Sequence, residues 1–306
     1  MKTTVNKTYT LFEFLKEKYP DSPRTRIKKL LQNGSVRVND LTVTLHSFRL
    51  NKGDTVEISS HKGIKASDFL PFPVLYEDET VIAVDKPAGY STSSMDGSAD
   101  IVSAVSSALR DASRGNVRAY VVHRLDKEVS GVLLFAKSEK AMDTLKENWK
   151  ETEKHYYAFV EGVPGKEQDT VRSWLVEDNK QKVHSTAKSE NAKYSVTSYK
   201  VIKVIGENAL LDVTTETGRK NQIRVHLADI GCPIIGDRKY GASDKYIRRI
   251  RLHAFSLSFP HPVKGIKITV KSPMPDGFLG SFTRYFVSIS ERFDFSAKPC
   301  AVIAPS

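Results

Sequence analysis

Residues 121–131 read VVHRLDKEVSG, an apolar strand pattern that runs into a polar turn closed by Gly131. Asp126 stands in this turn, shortly after His123 and Arg124. We expect the turn to place the carboxylate of Asp126 at the edge of a sheet, where a cleft can form. An aspartate that caps a turn is the ordinary alternative, so the string by itself leaves a catalytic and a structural role open.

The His-Arg-x-Asp spacing is superficially similar to a protein kinase catalytic loop. The sequence contains no glycine-rich nucleotide loop, no Asp-Phe-Gly string and no Walker A string. A phosphotransferase would therefore lack the parts that hold nucleotide phosphates and Mg²⁺. The sequence argues against a kinase-like activity and against a nucleotide cofactor.

Composition limits the classes of protein further. A chain of 306 residues with 40% hydrophobic residues can bury roughly 75% of its unfolded surface. Cys232 and Cys300 stand far apart without a C-x-x-C spacing, which argues against a disulfide framework, an iron–sulfur site or a zinc knuckle. The sequence shows neither a signal peptide nor an apolar run long enough to cross a membrane. We therefore expect a cytoplasmic protein without a metal site or a membrane partner.

Positive charge is concentrated near the N-terminus. The net charge is +11, and residues 1–64, with twelve Lys or Arg and six Asp or Glu, supply +6 of it. Such an excess indicates a polyanionic partner such as nucleic acid.

Two short helices are predicted within this basic region. The first covers residues 10–19, and the second begins near Ser22 and Pro23, which provide an N-cap and a proline at the first helical position. An apolar stripe of Ile27, Leu30 and Leu31 marks the buried face of the second helix. The remaining faces of this helix, together with the following strand at Val36–Val38, carry the basic side chains of Arg24, Arg26, Lys28, Lys29 and Arg37.

This helix–helix–strand pattern resembles the S4 RNA-binding domain. The resemblance covers about fifty residues, and it implies that the five basic side chains contact RNA. A solvated, charged helix without a ligand is the alternative. We expect the S4-like domain to cover residues 1–62, followed by a linker at 63–73.

The rest of the chain mixes strand and helix patterns. Predicted strands lie at 81–84, 120–122, 132–136, 156–160, 192–204 and 210–215, and predicted helices at 101–112, 139–150 and 222–230. This mixture predicts an α+β fold: the small αα-β domain, then a larger domain at 74–290 with a mixed, mostly antiparallel sheet and flanking helices. Residues 291–306 are left as a C-terminal tail.

Several ordered strings give the larger domain a second resemblance. They are VLYED at 74–78, VDKPAG at 84–89, the 121–131 string, KHYYA at 154–158, TGRKNQIRVHL at 217–227, DRKYG at 237–241, RLHA at 251–254 and FPHP at 259–262. Together these strings resemble the RluA-type RNA pseudouridine synthases. Members of this family often carry an N-terminal S4 domain, so the two resemblances support each other.

The resemblance implies a role for each matching residue. Asp126 would be the catalytic aspartate, Tyr156 the aromatic residue that packs on the target base, and Arg224 the basic partner of Asp126. Arg124 would hold the flipped-out nucleotide, and His123 and Arg219 would also contact RNA. The alternatives are a core aromatic for Tyr156 and a surface helix charge for Arg224.

Two positions depart from the family pattern. Val129 stands where the family usually has Thr, and Asn221 stands where it usually has His. Both positions lie beside the key residues, so the departures bear on substrate fit more than on catalysis.

The implied reaction explains why few functional groups are needed. Conversion of uridine to pseudouridine breaks the C1′–N1 bond and joins C5 to C1′, without oxidation, hydrolysis or transfer to another molecule. No cofactor is therefore expected, and one ionised carboxylate acts either as nucleophile at C1′ or as base at C2′.

The expected partner is structured RNA; by analogy, ribosomal RNA is favoured over transfer RNA, which stays the alternative. We expect the protein to act on it as a monomer. A non-catalytic RNA-binding or ribosome-assembly protein on the same fold is the alternative.

Overall fold

The computed structural model describes residues 2–32, 35–39, 41–58, 65–94, 98–113, 115–243, 249–280 and 301–304. The chain divides into two compact units, one comprising Met1–Leu70 and Ser107–Val117 and the other Pro71–Ser106 and Arg118–Ser306. Most of the predicted tail at 291–306, including Cys300, lies outside the described residues, whereas Cys232 is a buried free cysteine.

The first unit contains a small antiparallel sheet and two helices. Its elements are β1 (Lys2–Thr4), β2 (Tyr9–Thr10), α1 (Leu11–Lys18), α2 (Arg24–Gln32), β3 (Val36–Val38), β4 (Leu41–Thr42), β5 (Arg49–Leu50) and β6 (Thr55–Ile58). The sheet has the order β1-β6-β3-β4, and β2 pairs with β5. This arrangement confirms the predicted αα-β unit.

Local signals explain where the two helices begin and which faces they bury. The Thr10 hydroxyl accepts a hydrogen bond from the Glu13 backbone N–H at 3.3 Å, and the Glu13 carboxylate accepts one from the Thr10 N–H at 2.8 Å, a capping box that starts α1. On α2, Ile27 and Leu31 are buried in the core, while Leu30 is half-buried. All the basic side chains predicted to contact RNA are exposed in this unit, at Arg24, Arg26, Lys28, Lys29 and Arg37.

The second unit is built on one large sheet. In chain order its elements are β7 (Val74–Glu77), β8 (Val81–Lys86), α3 (Ile101–Ser113, which ends in the first unit), β9 (Tyr120–Val121), β10 (Ser130–Ala136), α4 (Glu139–Glu147), β11 (Glu153–Glu161), β12 (Gln168–Glu177), β13 (Val183–Thr186), β14 (Lys193–Ile205), β15 (Asn208–Thr215), α5 (Gln222–Asp229), β16 (Leu252–Pro260), β17 (Lys267–Lys271) and β18 (Ala301–Ala304). Short 3₁₀ turns occur at Ala66–Asp68, Trp149–Glu151 and Arg238–Tyr240.

The sheet order is β13-β12-β14-β15-β11-β16-β10-β8-β7; in addition, β9 pairs with β10, β17 with β16, and β18 with β17. Only β10 and β16 pair in parallel among the strands of the described residues. The mixed, mostly antiparallel sheet that the sequence predicts is therefore confirmed. Among the described helices, none is long and apolar enough to cross a membrane.

Gly131 permits the parallel pairing at the centre of this sheet. Its φ of +116° is rare for residues with a side chain, and a Cβ at this position would collide with the backbone oxygen of Ala254. The pairing aligns Ser130 with His253 and Gly131 with Ala254. This close approach fixes the start of β10, directly after the loop that carries Asp126.

Candidate active site

Asp126 lies in the loop between β9 and β10. The Thr92 hydroxyl donates to the Leu125 carbonyl at 2.9 Å and accepts from the Leu125 N–H at 3.1 Å. Next to Asp126, the Lys127 carbonyl accepts a hydrogen bond from the Gly89 N–H at 2.8 Å. The residues on both sides of Asp126 are therefore held by the segment that follows β8, so that the carboxylate is carried by a constrained loop.

Lys86, the last residue of β8, also holds this loop. Its side chain is fully buried, and the ammonium group donates to the carbonyls of Pro87, Tyr90 and Lys127. Burial lowers the pKa of Lys86 to about 8, although the nearby charges of Asp126 and Glu128 oppose the shift. Lys86 stands in the VDKPAG string at 84–89, but the sequence alone does not predict this role. The available signal is a lysine at the end of an apolar strand pattern.

A cleft that is open to solvent lies beside Asp126. Five of the residues predicted from the sequence line it: Arg124, Asp126, Tyr156, Arg219 and Arg224. These residues come from the β9–β10 loop, from β11, from the turn before α5 and from α5 itself. The fold thus brings the predicted site residues of the larger domain together, with the exception of His123.

Arg224 is a buried residue of α5, which rules out a surface helix charge. Its Nε and Nη2 donate to the two carboxylate oxygens of Asp237 at 2.6 and 2.9 Å, and the guanidinium lies 5.0 Å from the centre of the Tyr240 ring. Burial alone would lower the pKa of Arg224, but the bonds to Asp237 outweigh it and raise the pKa. The guanidinium is therefore charged, and its position is fixed by a bidentate ion pair.

Nη1, the guanidinium nitrogen that Asp237 does not bind, lies near two further carboxylates. Arg224 Nη1 lies 3.8 Å from Asp126 Oδ2 and 3.6 Å from Glu128 Oε2. The Asp126 side chain is 29% exposed, so it is reachable from the cleft, whereas Glu128 is exposed at 49%. Among the described residues, Arg224 is the only cation within 4.0 Å of the Asp126 carboxylate, and it is shared with Glu128.

The pKa of Asp126 reflects opposing effects. Burial raises it above its ordinary value, while the charges of Arg224 and Lys86 lower it and those of Glu128 and Asp237 raise it. Desolvation favours the neutral acid, and the cations favour the carboxylate. The net effect is that the pKa of Asp126 is raised, so its carboxylate is more basic than that of an ordinary aspartate.

Tyr156 presents its ring to the cleft from β11. It pairs with Val213 of β15 and Ala254 of β16, next to an irregularity in the register. Burial and the charge of Asp126 raise the pKa of its hydroxyl, so the phenol is protonated at neutral pH. The next side chain, Tyr157, instead stacks on Phe255 with ring centres 3.8 Å apart. Of these neighbouring tyrosines, Tyr156 lines the cleft.

His123 has contacts of a different kind. Its Nε2 accepts a hydrogen bond from the Leu134 N–H at 3.0 Å, and its ring stacks on Trp149. Burial, together with the charge of Lys154, lowers its pKa to about 3, so the ring is neutral. The structure thus uses His123 to attach the loop to β10. Contact of this ring with RNA stays a prediction.

The two departures from the family pattern both lie at the cleft. Val129 is buried, and its N–H donates to the Asp126 carbonyl at 3.1 Å. Asn221 precedes α5 in a left-handed backbone conformation. Within the described ranges, no group of three or more His, Cys, Asp or Glu residues is arranged to hold a metal ion.

Comparisons with known proteins give matches for both units. The family model described as RNA pseudouridylate synthase matches residues 80–229, and the S4 domain model matches residues 10–56.

Two curated relatives match over most of their length. An uncharacterised RNA pseudouridine synthase of Synechocystis sp. is 33% identical over 282 residues, which cover 88% of this chain and 86% of that protein. Ribosomal large subunit pseudouridine synthase C of Rickettsia felis is 33% identical over 298 residues, with coverage of 89% and 95%. Among solved structures, human RNA pseudouridylate synthase domain containing 4 matches with a TM-score of 0.59 at 25% identity, covering 69% of this chain and 92% of that one.

Proposed function

The chain belongs to the family of RNA pseudouridylate synthases, and we propose that it uses Asp126 as its one catalytic carboxylate to isomerise uridines of ribosomal RNA. One observation carries the assignment of the site: Asp126 opens onto a cleft shared with Tyr156 and lies 3.8 Å from the buried, fixed guanidinium of Arg224. The same cleft argues against a non-catalytic RNA-binding protein. A carboxylate repels RNA phosphates, and its desolvation costs free energy that a surface used only for binding would not need to spend.

The reaction requires an ionised Asp126. The carboxylate either forms an ester at C1′, which breaks when C5 bonds to C1′, or takes a proton from C2′ and later returns it. In both cases the C1′–N1 bond breaks, the uracil turns within the cleft and C5 bonds to C1′. C5 then loses its proton and N1 gains one, so the product has the same composition as uridine. The uracil anion is retained and reused, so no second carboxylic acid has to protonate a leaving group, unlike in a glycosidase. Neither an oxidant nor a group donor enters the atom balance, so the chemistry needs no cofactor.

Arg224 and Lys86 support the carboxylate in different ways. Arg224 acts at short range and is fixed by Asp237. Lys86 is fully buried and acts mainly by holding the Lys127 carbonyl, hence the loop, while its charge lowers the pKa of Asp126. Together they favour the ionised form against desolvation.

Tyr156 and the surface arginines would hold the substrate. A uridine must leave its stack to reach Asp126, which costs a few kcal/mol, and stacking on an aromatic ring such as Tyr156 returns about 1–3 kcal/mol per base. Arg124 and Arg219 are exposed at the cleft, where they can pair with phosphates next to the flipped nucleotide.

The S4 domain provides a further RNA contact. Its helix α2 exposes Arg24, Arg26 and Lys28, which suit phosphate binding without sequence preference. The name of the Rickettsia relative supports ribosomal RNA as the substrate class. A monomeric state and a cytoplasmic location are further proposals that rest on the sequence.

Mapping of pseudouridines tests the substrate. Ribosomal and transfer RNA from cells that lack the protein are compared with RNA from wild-type cells. We expect one or a few pseudouridines to be missing from ribosomal RNA and to return when the wild-type protein, but not Asp126→Asn, is supplied. Loss confined to transfer RNA would contradict the ribosomal assignment, and return of the sites with Asp126→Asn would contradict the role of Asp126.

A further inference from the structure

Asn221 has a backbone conformation that few residues adopt. It stands immediately before α5 with φ 54° and ψ 17°, in the left-handed region that only glycine, asparagine and aspartate visit with ease. Its side chain is buried. A buried amide in this conformation needs partners for both its oxygen and its nitrogen, and the partners identify what it does.

The amide links Arg224 to Tyr240. Its Oδ1 accepts a hydrogen bond from Arg224 Nη1 at 2.9 Å, and its Nδ2 donates to the Tyr240 hydroxyl oxygen at 3.0 Å. Because a guanidinium can only donate, the amide oxygen must face Arg224, which fixes the orientation of the side chain. The Tyr240 oxygen is anchored in turn by the backbone N–H of Val183 at 3.3 Å.

The bonded nitrogen of Arg224 is the one that faces Asp126. Nε and Nη2 are bound by Asp237, so within the described residues Asn221 is the only hydrogen-bond acceptor of Nη1. One hydrogen of Nη1 is left for the side on which Asp126 and Glu128 lie, at 3.8 and 3.6 Å. Because the guanidinium is planar and rigid, this bond is a third anchor, and it restrains tilting of the whole group about its two bonds to Asp237.

We propose that Asn221 is a positioning residue for the isomerisation: its amide, held by Tyr240, directs Arg224 Nη1 toward Asp126. This inference rests on the proposed catalytic role of Asp126. The charged and titratable groups that face Asp126 are Arg224, Lys86, Glu128, Asp237 and Tyr156. Arg224 already contacts the carboxylates of Asp126, Glu128 and Asp237. A neutral acceptor at position 221 orients the cation without adding a fourth negative charge.

Two substitutions distinguish the effect of the Asn221 side chain from that of its backbone conformation. Asn221→Gly keeps the left-handed conformation without strain and removes both side-chain hydrogen bonds. Asn221→Asp keeps an acceptor for Arg224 but adds a charge that competes with Asp126. Asn39→Gly is the matched control, because Asn39 is also left-handed and uses both amide atoms, in bonds to Asp54 and Thr55 of the first unit.

The readout is the single-turnover release of tritium from transcribed ribosomal RNA labelled at uridine C5, with saturating enzyme over a range of pH. For Asn221→Gly we expect a rate about tenfold lower at neutral pH, as for loss of one hydrogen bond to a charged group. The acid limb of the pH–rate profile, where the rate falls as Asp126 becomes protonated, should move to higher pH by about one unit. In Asn221→Asp the limb should move further, with recovery of the rate at high pH.

The Asn39→Gly control distinguishes a loss of positioning at the site from a general loss of stability. Asn39→Gly should lower the unfolding temperature while leaving the rate and the acid limb unchanged. The inference is overturned if Asn221→Gly behaves like Asn39→Gly, or if its rate falls equally at every pH. A wild-type protein that releases no tritium from any RNA would overturn the proposed function itself, and this inference with it.

Discussion

At the scale of single residues, the site is a balance between one carboxylate and the charges around it. Asp126 is desolvated, and Arg224, which lies 3.8 Å from it, is shared with Glu128. Glu128 is half exposed and lies within the same turn. It therefore acts on Asp126 both through its own charge and by competing for Arg224.

Removal of the Glu128 charge should make Asp126 more acidic. Because Glu128 raises the pKa of Asp126, the Glu128→Gln variant should have a lower pKa at Asp126 and an acid limb shifted to lower pH, by less than about one unit for a half-exposed group. A pH profile of the single-turnover rate measures this shift. A limb that moves to higher pH would show that Glu128 does not act on Asp126 in this way.

The raised pKa of Asp126 should also lower the stability of the folded protein at neutral pH. A raised pKa means that the folded state binds the proton more tightly than the unfolded state, so stability falls as pH rises from about 4, the ordinary aspartate value, through the raised pKa. Asp126→Asn removes this loss. We expect its unfolding temperature at neutral pH to exceed that of the wild type by about 1–4 °C, with the difference vanishing near pH 4. An equal or lower unfolding temperature at neutral pH would contradict the desolvation of Asp126.

The residues that the sequence could identify are those inside recognisable strings. Asp126, Tyr156 and Arg224 each stand in such a string, and the fold gathers them. The roles of Lys86 and Asp237 depend on contacts between different strings, Lys86 with Lys127 and Arg224 with Asp237. Local sequence cannot show such contacts, since the sheet order that creates them is a property of the whole unit.

At the scale of elements, the predicted strands include those with a continuous apolar pattern, such as residues 132–136. Strand β10 is buried at every position and was predicted, as were helices α4 and α5. Strands β12, β13, β16 and β17 were not predicted. In β16, buried His253 is satisfied by Ser130 and Ser272, and Ser258 by Thr269. Buried polar residues interrupt the apolar pattern from which a buried strand is predicted. Their hydrogen-bond partners lie on other strands, so the local sequence does not reveal that they are buried.

Helix α2 is the element whose charge can be tested separately. Replacement of Arg24, Arg26 and Lys28 by Gln should weaken RNA binding and make the slope of log affinity against log salt shallower by up to about 2–3. The single-turnover rate at saturating enzyme should not change. The matched control removes three exposed lysines of the second unit, Lys140, Lys146 and Lys150. Equal salt slopes for the wild type and the α2 variant would show that α2 is only a solvated face.

At the scale of the whole molecule, the net charge of +11 has two kinds of origin. Residues 1–64 supply +6 of it, and the basic side chains of α2 are exposed there. In the second unit, Arg224 and Lys86 are buried and bound to protein groups. The exposed charge suits RNA phosphates, whereas the buried cations act on Asp126.

The central claim is that one carboxylate, Asp126, performs the isomerisation. The most direct test compares wild-type protein with Asp126→Asn for pseudouridine formation in transcribed ribosomal RNA under single-turnover conditions, with RNA affinity measured in parallel. The account predicts a rate at least about 10³-fold lower for Asp126→Asn and an RNA affinity that differs by only a few-fold. Pseudouridine formation by Asp126→Asn at a rate near that of the wild type would contradict it.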